Sequence, residues 1–243
     1  MLVISLDTTS RAGSAALAKD GKVIDARSAP AGRTHAARLP KDMMDLLAGH
    51  GLRLTDVDVF AVASGPGSFT GLRIGIATVQ GLAFAAGRPV VAVSALDALA
   101  LLGASPGDDV LVGAWIDAHR REVFSALYRC GPHVYDAAAD AVIVDEPSVA
   151  GPDTILERWK PLVAGRRVRF VGDGVAAYRG LAAAAAGSGA EIVVPAPPLA
   201  PAIARIATRR AAQGLATAPH AVRPQYVRRP DALLARERRC SET

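Results

Sequence analysis

The chain opens on a short apolar run, Leu2-Val3-Ile4-Ser5-Leu6, that ends at the polar cluster Asp7-Thr8-Thr9-Ser10. A second run over residues 14–18 leads through Lys19-Asp20-Gly21-Lys22 into Val23-Ile24-Asp25. An Asp-Gly pair between two such runs predicts a tight hairpin, because both residues tolerate positive φ. Three strands in meander are therefore expected within the first 30 residues. After the break at Pro30-Ala31-Gly32 the period changes: Leu39, Met43, Leu46 and Leu47 fall at i, i+4, i+7 and i+8, one face of a helix. Pro40 lies inside that pattern and marks either its start or a kink. Residues 57–63 read as a strand, Ser64-Gly65-Pro66-Gly67-Ser68 as a tight loop, and 70–86 as a helix capped by Ser68 or Thr70. A strand over 89–93 and a helix over 95–102 complete the first half.

A new set follows, with strands expected at 110–116, 122–128 and 141–144 and a helix around 154–159. A strand at 168–171, a helix at 175–186, a strand at 191–194 and a helix at 201–213 come next. Strands alternating with helices predict an α/β fold. The second half repeats the order βββαβα in outline, and the duplication rests on element order alone, without a repeat in the sequence.

Composition narrows this. The 243 residues suit one large domain or two lobes sharing a seam, and 51% hydrophobic against 21% charged residues is a globular balance. The longest strongly apolar uncharged run, residues 74–87, is 14 residues long, short of the roughly 20 that span a bilayer. No basic segment precedes the first apolar run and Asp7 interrupts it, so no secretory signal is expected. A cytoplasmic protein with no membrane association follows as the expectation. Cys130 and Cys240 make neither a disulfide framework nor a CxxC pair.

The net charge of +5 is unevenly placed: residues 1–204 hold 19 Lys+Arg against 20 Asp+Glu, whereas 205–243 hold nine arginines against three acids. Such a terminus serves nucleic acid, an acidic partner, or solvation alone.

Ser64 to Gly75 is the most specific segment. It lacks the Lys-Ser/Thr of a phosphate-binding P-loop, having Leu72-Arg73 after Gly71, and its glycines do not fit the dinucleotide pattern GxGxxG. A strand, a glycine loop and a helix N-terminus still favour an anion, with Gly65, Gly67 and Ser68 as candidate phosphate contacts. The recurrence of Gly67, Gly71 and Gly75 every four residues equally fits close packing, and the two readings are compatible. Asp7, Thr8 and Thr9 end the first strand where phosphoryl-transfer folds hold Mg²⁺ or orient water; alternatively Asp7 caps its own turn. Asp117 ends the first strand of the second half in the corresponding place, and two acids facing one cleft would suit a Mg–nucleotide. The five histidines, His35, His50, His119, His133 and His220, include no HxxxH pair, so no helix-borne zinc or iron site is expected.

Ile4-Ser5-Leu6-Asp7-Thr8-Thr9, Gly65-Pro66-Gly67-Ser68-Phe69-Thr70-Gly71-Leu72-Arg73-Ile74-Gly75 and Val91-Ala92-Val93-Ser94-Ala95-Leu96 together resemble the TsaB (YeaZ) family. Asp117-Ala118-His119-Arg120-Arg121-Glu122-Val123-Phe124 and Pro224-Gln225-Tyr226-Val227-Arg228 extend the resemblance over most of residues 1–228. It implies the actin/sugar-kinase/Hsp70 (ASKHA) fold with two RNase H-like βββαβα lobes, 1–104 and 105–228, and a basic tail, 229–243.

The resemblance also implies a scaffold role in forming threonylcarbamoyladenosine in tRNA. The protein would bind and activate the catalytic TsaD-type subunit, which moves a threonylcarbamoyl group to N6 of the adenosine next to the anticodon. A TsaE-type ATPase, tRNA reached through the complex, a homodimer when alone, and ATP or ADP at the partner interface are implied with it. Where TsaD carries His-Leu-Glu-Gly-His, this chain reads Ala95-Leu96-Asp97-Ala98-Leu99, so both metal-ligand histidines are replaced and no catalytic or metal-binding residue of its own is expected. Asp173 stands where the adenosine loop of the catalytic member has glycine.

The partner face implied is the helix pair at 35–48 and 70–86, through His35, Leu39, Met43, Leu46, Leu47, Gly71, Leu72, Gly75, Thr78 and Leu82. Met43→Arg or Gly75→Arg is then expected to weaken association in a folded protein. A free-standing ATPase or small-molecule kinase of the same fold is the alternative, resting on Asp7, Asp117 and the glycine loops; a metallopeptidase has the least support.

Overall fold

Both halves of the chain begin with a three-stranded meander and continue through crossover helices, in a computed structural model that describes residues 1–10, 13–28, 35–107, 109–135, 139–186, 190–194 and 197–228. For 35–39, 185 and 186 it describes the backbone alone. The basic tail 229–243, the Pro30-Ala31-Gly32 break and the side chains of His35 and Leu39 lie outside the described residues.

In the first half β1 (Leu2–Asp7), β2 (Ser14–Lys19) and β3 (Lys22–Ser28) precede α1 (His35–Ala48), β4 (Val59–Gly65), α2 (Phe69–Ala86), β5 (Val90–Ser94) and α3 (Ala95–Gly103). Asp20 and Gly21 turn the first chain reversal with φ of 51° and 78°, as an Asp-Gly hairpin requires. The sheet order is β3-β2-β1-β4-β5, with β1, β4 and β5 parallel.

The second half supplies β6 (Val110–Asp117), β7 (Val123–Cys130), β8 (Val142–Ala150), α4 (Pro152–Val163), β9 (Val168–Val171), α5 (Asp173–Ala177), α6 (Arg179–Ala186), β10 (Ala190–Val193) and α7 (Ala200–Ala212). Its sheet order, β10-β9-β6-β7-β8, is that of the first sheet read from the other edge. The duplication expected from element order is thus present in the topology.

Strands β1 and β4 are buried along their whole length, because helices cover both faces of the first sheet. Leu2, Ile4, Leu6, Phe60 and Val62 face α1 and α2, meeting Met43, Leu46, Leu47, Ile76, Val79 and Ala83. Val3, Ala61, Val91 and Val93 face the opposite way, into a middle core shared with α3, α7 and the strands β6 and β7. The outer face of the second sheet packs Trp115, Leu127 and Phe170 against Ile155 and Trp159 of α4, Val175 of α5 and Ala182 of α6. Five layers result: α1/α2, the first sheet, α3/α7, the second sheet, and α4 to α6.

The helices of the middle layer cross between halves. α3, from the first half, lies against β6, β7 and β9, whereas α7, from the second, lies against β1, β2, β4 and β5. Ser5 Oγ donates to Ala200 O at 2.7 Å and Ala200 N donates to Ser14 Oγ at 3.1 Å, so the buried hydroxyls of the first sheet fix the start of α7. A division at 104/105 therefore describes strand membership, and the helices do not respect it.

Three expectations need correction. The apolar stripe of α1 is core: Met43, Leu46 and Leu47 are wholly buried on the protein's own sheet, as is Leu72, and Gly71 and Gly75 are buried beside Thr8. Arginine at 43 or 75 would therefore bury a charge inside this molecule. The single helix expected at 175–186 breaks at Tyr178 (φ −123°), where α5 ends and α6 follows. Strand β8 continues through Pro147 to Ala150, well past residue 144. Among the described residues α2 alone is long and apolar enough to cross a membrane, and here its Leu72, Ile76, Val79 and Ala83 are core.

Candidate functional site

The end of β1 and the start of α2 are built as one unit. The Asp7 carboxylate is fully buried; its Oδ1 accepts from Thr9 N (2.8 Å) and Thr9 Oγ1 (2.5 Å), and its Oδ2 from Ser10 Oγ (2.9 Å). Asp7 therefore does cap its own turn. Thr8 Oγ1 donates to Gly71 O at 2.7 Å, and Ser68 N donates to Thr9 O at 3.2 Å. Ser68 is the cap of α2, its Oγ accepting from Gly71 N at 3.2 Å. A Cβ on Gly71 would lie 2.1 Å from Thr8 O, and one on Gly75 2.2 Å from Thr8 Oγ1. The glycines spaced by four thus let a helix lie directly on the Asp7–Thr9 turn, and the Ser68 amide is spent inside the protein.

Across the seam, Asp117 ends β6 and its N–H donates to Asp173 Oδ1 at 3.0 Å. Asp117 Oδ1 accepts from His119 N at 2.9 Å, and its Oδ2 stands 3.4 Å from His119 Nδ1. Burial raises the Asp173 carboxyl above the ordinary range, and the charges of Asp117 and Asp7 add to the rise against backbone N–H donors from Asp117 and Gly174. The charges of Asp7 and Asp117 thus both act on one half-buried carboxyl. Its place beside Asp117 was not legible in a segment read only for a missing glycine. Among the described residues no group of three His, Cys, Asp or Glu is placed to hold a metal ion.

The outward face of α2 is the other feature. Phe69, Thr70, Arg73, Ala77, Gly81, Phe84 and Ala85 are exposed, Ile74, Thr78 and Leu82 half-buried, and Phe84 is 80% exposed. Of the expected interface residues, Thr78 and Leu82 lie at this surface. Ala77, Gly81 and Phe84 share this surface without having been singled out in the sequence, although small residues at 77, 81 and 85 repeat at the helical spacing of four. Ala95 and Leu99, the positions matched to the metal histidines of TsaD, are buried in the middle core.

A family model described as TsaD, tRNA N6-adenosine threonylcarbamoyltransferase, matches residues 29–236. The tRNA threonylcarbamoyladenosine biosynthesis protein TsaB of Escherichia coli (strain K12) is 40% identical over 129 residues, 53% of this chain and 55% of that protein. The structure of YeaZ from Pseudomonas aeruginosa superposes with a TM-score of 0.76 at 30% identity, covering 93% of this chain and 99% of that one.

The chain belongs to the TsaB/YeaZ family. Its aligned stretch spans about half the length of the E. coli TsaB. An uncharacterised Mycobacterium tuberculosis protein is 36% identical over 150 residues, 61% of this chain and 69% of that one. The fold is that of the ASKHA proteins. An activator of 2-hydroxyisocaproyl-CoA dehydratase from Clostridium difficile shares it at 14% identity and a TM-score of 0.50, over 88% of this chain and 97% of that one.

Proposed function

We propose that this TsaB/YeaZ-family protein works in the formation of threonylcarbamoyladenosine in tRNA, as a non-catalytic subunit that binds and activates a TsaD-type protein. The relatives' names supply the process. The observation that carries the subunit role is the outward face of α2, where an exposed phenylalanine, Phe84, stands among small residues on a helix whose other side is core. An aromatic anchor beside a shallow, close-approach strip is the kind of surface that desolvates well against a partner helix. The buried Ala95 and Leu99 support the absence of a metal-dependent reaction in this chain. The same face serves a second copy when no TsaD-type partner is present. A TsaE-type ATPase and tRNA join through the complex, in the cytoplasm.

Size-exclusion chromatography of the protein mixed with a TsaD-type protein at micromolar concentration tests this. Co-elution is expected, and Phe84→Glu and Gly81→Arg are expected to weaken it roughly 30-fold, about 2 kcal/mol for a buried anchor. Their far-UV circular dichroism stays that of the parent, because both positions are solvent-exposed in the single chain and nothing lies within 4 Å of a Cβ on Gly81. Failure of the parent protein to co-elute overturns the reading.

A second reading, nucleotide binding by this chain itself, rests on the strand-end acids Asp7 and Asp117, with the Asp173 carboxylate accepting from the Asp117 amide at 3.0 Å. Calorimetry with Mg–ATP decides it; binding tighter than about 10 μM supports it, and no heat of binding removes it.

A further inference from the structure

Beyond α7 the chain returns along the first lobe and then crosses to the second. Val222 is buried in the outer core of the first sheet, and Gln80 Nε2 on α2 donates to Pro219 O (2.8 Å) and Val222 O (3.2 Å). Gln225 N donates to Ser64 O at 2.7 Å, and its carbonyl lies so near Gly65 that a Cβ there would be 2.6 Å away. The Tyr226 ring stacks on Phe69 with centroids 5.3 Å apart, and its hydroxyl accepts from Arg73 Nε at 3.2 Å. Val227 packs against the middle core. Arg228 then reaches the second lobe: Nη1 donates to Ala118 O at 2.8 Å, Nη2 pairs with the Glu122 carboxylate, and the guanidinium lies 5.5 Å from the Phe124 ring centre.

Ala118 and Glu122 are the two ends of the β6–β7 turn, joined by Ala118 N to Glu122 O at 3.1 Å. Between them His119, Arg120 and Arg121 take φ of 56°, 55° and 64°. Three consecutive L residues in the left-handed region are disfavoured by their own Cβ atoms, so contacts from outside the turn must hold them there. The Asp117 carboxylate supplies one such contact from within the strand, and Arg228 supplies two from the far end of the chain.

We propose that residues 222–228 are a strap that fixes the two lobes to each other across the mouth of the seam, with Arg228 as the latch that holds the 118–122 turn in its left-handed form. Among the described residues the strap is anchored by backbone and ring contacts on the first lobe, by Val227 against the shared middle core, and by the Arg228 side chain on the second lobe. Its polar hold on the second lobe is released when Arg228 leaves Ala118 and Glu122. The strap shares Phe69 and Arg73 with the outward face of α2.

Hydrogen exchange on the full chain, read by mass spectrometry, tests it. With Glu122→Ala, a change at a partly exposed side chain of the second lobe, the Gln225 amide bonded to Ser64 on the first lobe is expected to exchange at least tenfold faster. The amide of residue 122 speeds likewise, while Ile203 in α7 keeps its protection. Arg228→Ala gives the same pattern, and Arg228→Lys, which keeps the charge but has one nitrogen in place of the two that bond Ala118 and Glu122, falls between. An unchanged Gln225 rate in both Glu122→Ala and Arg228→Ala overturns the proposal, because the strap would then not feel its latch. Should Arg228→Ala lose protection throughout α7, Glu122→Ala alone decides by the same criterion.

Discussion

Among individual side chains, Asp173 carries the clearest consequence, because it is a half-buried carboxyl hydrogen-bonded by the Asp117 amide and repelled by two other carboxylates. Its pKa is raised above 3.8, so the folded state favours the proton more than the unfolded chain does. The stability it contributes is full below the unfolded value and is lost as pH rises through the folded one. Asp173→Asn keeps an oxygen to accept from Asp117 N and has nothing to titrate. The variant is expected to match the parent's melting temperature near the ordinary carboxylate value, about pH 4, and to exceed it increasingly as pH rises above that. A constant difference over that range, measured by thermal denaturation, would show that the carboxyl is not the titrating group. Asp7 and Asp117 were legible as strand-end acids in related positions, since both close a run of apolar residues. Asp173 was not, because nothing in a linear pattern records that the glycine-flanked start of α5 comes back against the Asp117 amide. Cys130 is a further buried group, its thiol pushed up to about 12 by burial and held by a bond to Ala100 O, which leaves it inert at ordinary pH.

Individual elements were read best where local chemistry ends them. Ser68 caps α2 and Gly87 closes it with φ 65°, its amide returning to Ala83 and Phe84 carbonyls, so both boundaries stand close to the sequence expectation. The interior of α2 is set by contact with β1 instead. Gly75→Ala would force a methyl group to within 2.2 Å of Thr8 Oγ1, and lifting the helix off the turn is expected to cost about 1–3 kcal/mol. A urea midpoint measures that loss, and an unchanged midpoint would mean that the Thr8–Gly75 contact is loose. α1 shows why a correct pattern gave an incorrect surface. Leu46 and Leu47 announce an apolar stripe, but periodicity reports burial without naming what does the burying, and here α1 lies against β2, β3 and α2. The break at Tyr178 was invisible for a related reason: Val175 and Ala182 both enter the same core, so a continuous helix and a broken one leave the same residues apolar. Pro147 lies inside β8, where the register irregularities against β7 accommodate it on an edge strand.

For the molecule as a whole, element order was enough to propose two similar halves, and the mirrored strand orders bear that out. What order could not convey is that the halves trade helices, because α3 and α7 are apolar on enough of their surface to suit either sheet. The middle core takes Val3, Val59, Ala61 and Val93 from one sheet and Val112, Ala114, Phe124 and Ala126 from the other. A fragment of residues 1–104 would leave that apolar side of its sheet open to water. Expressed alone it is expected to show no cooperative thermal transition by circular dichroism, whereas the full chain melts in one step; a sharp transition in the fragment would contradict this. The exchange of helices also sets a timetable for biosynthesis. A ribosome delivers the first sheet early, yet the helix that closes its inner face lies roughly a hundred codons downstream of β5. At about 5–20 residues per second, that face waits several seconds for α7. The nascent chain spends that interval as a client for whatever shields apolar surfaces, and the N-terminal lobe is completed only when its last helix emerges.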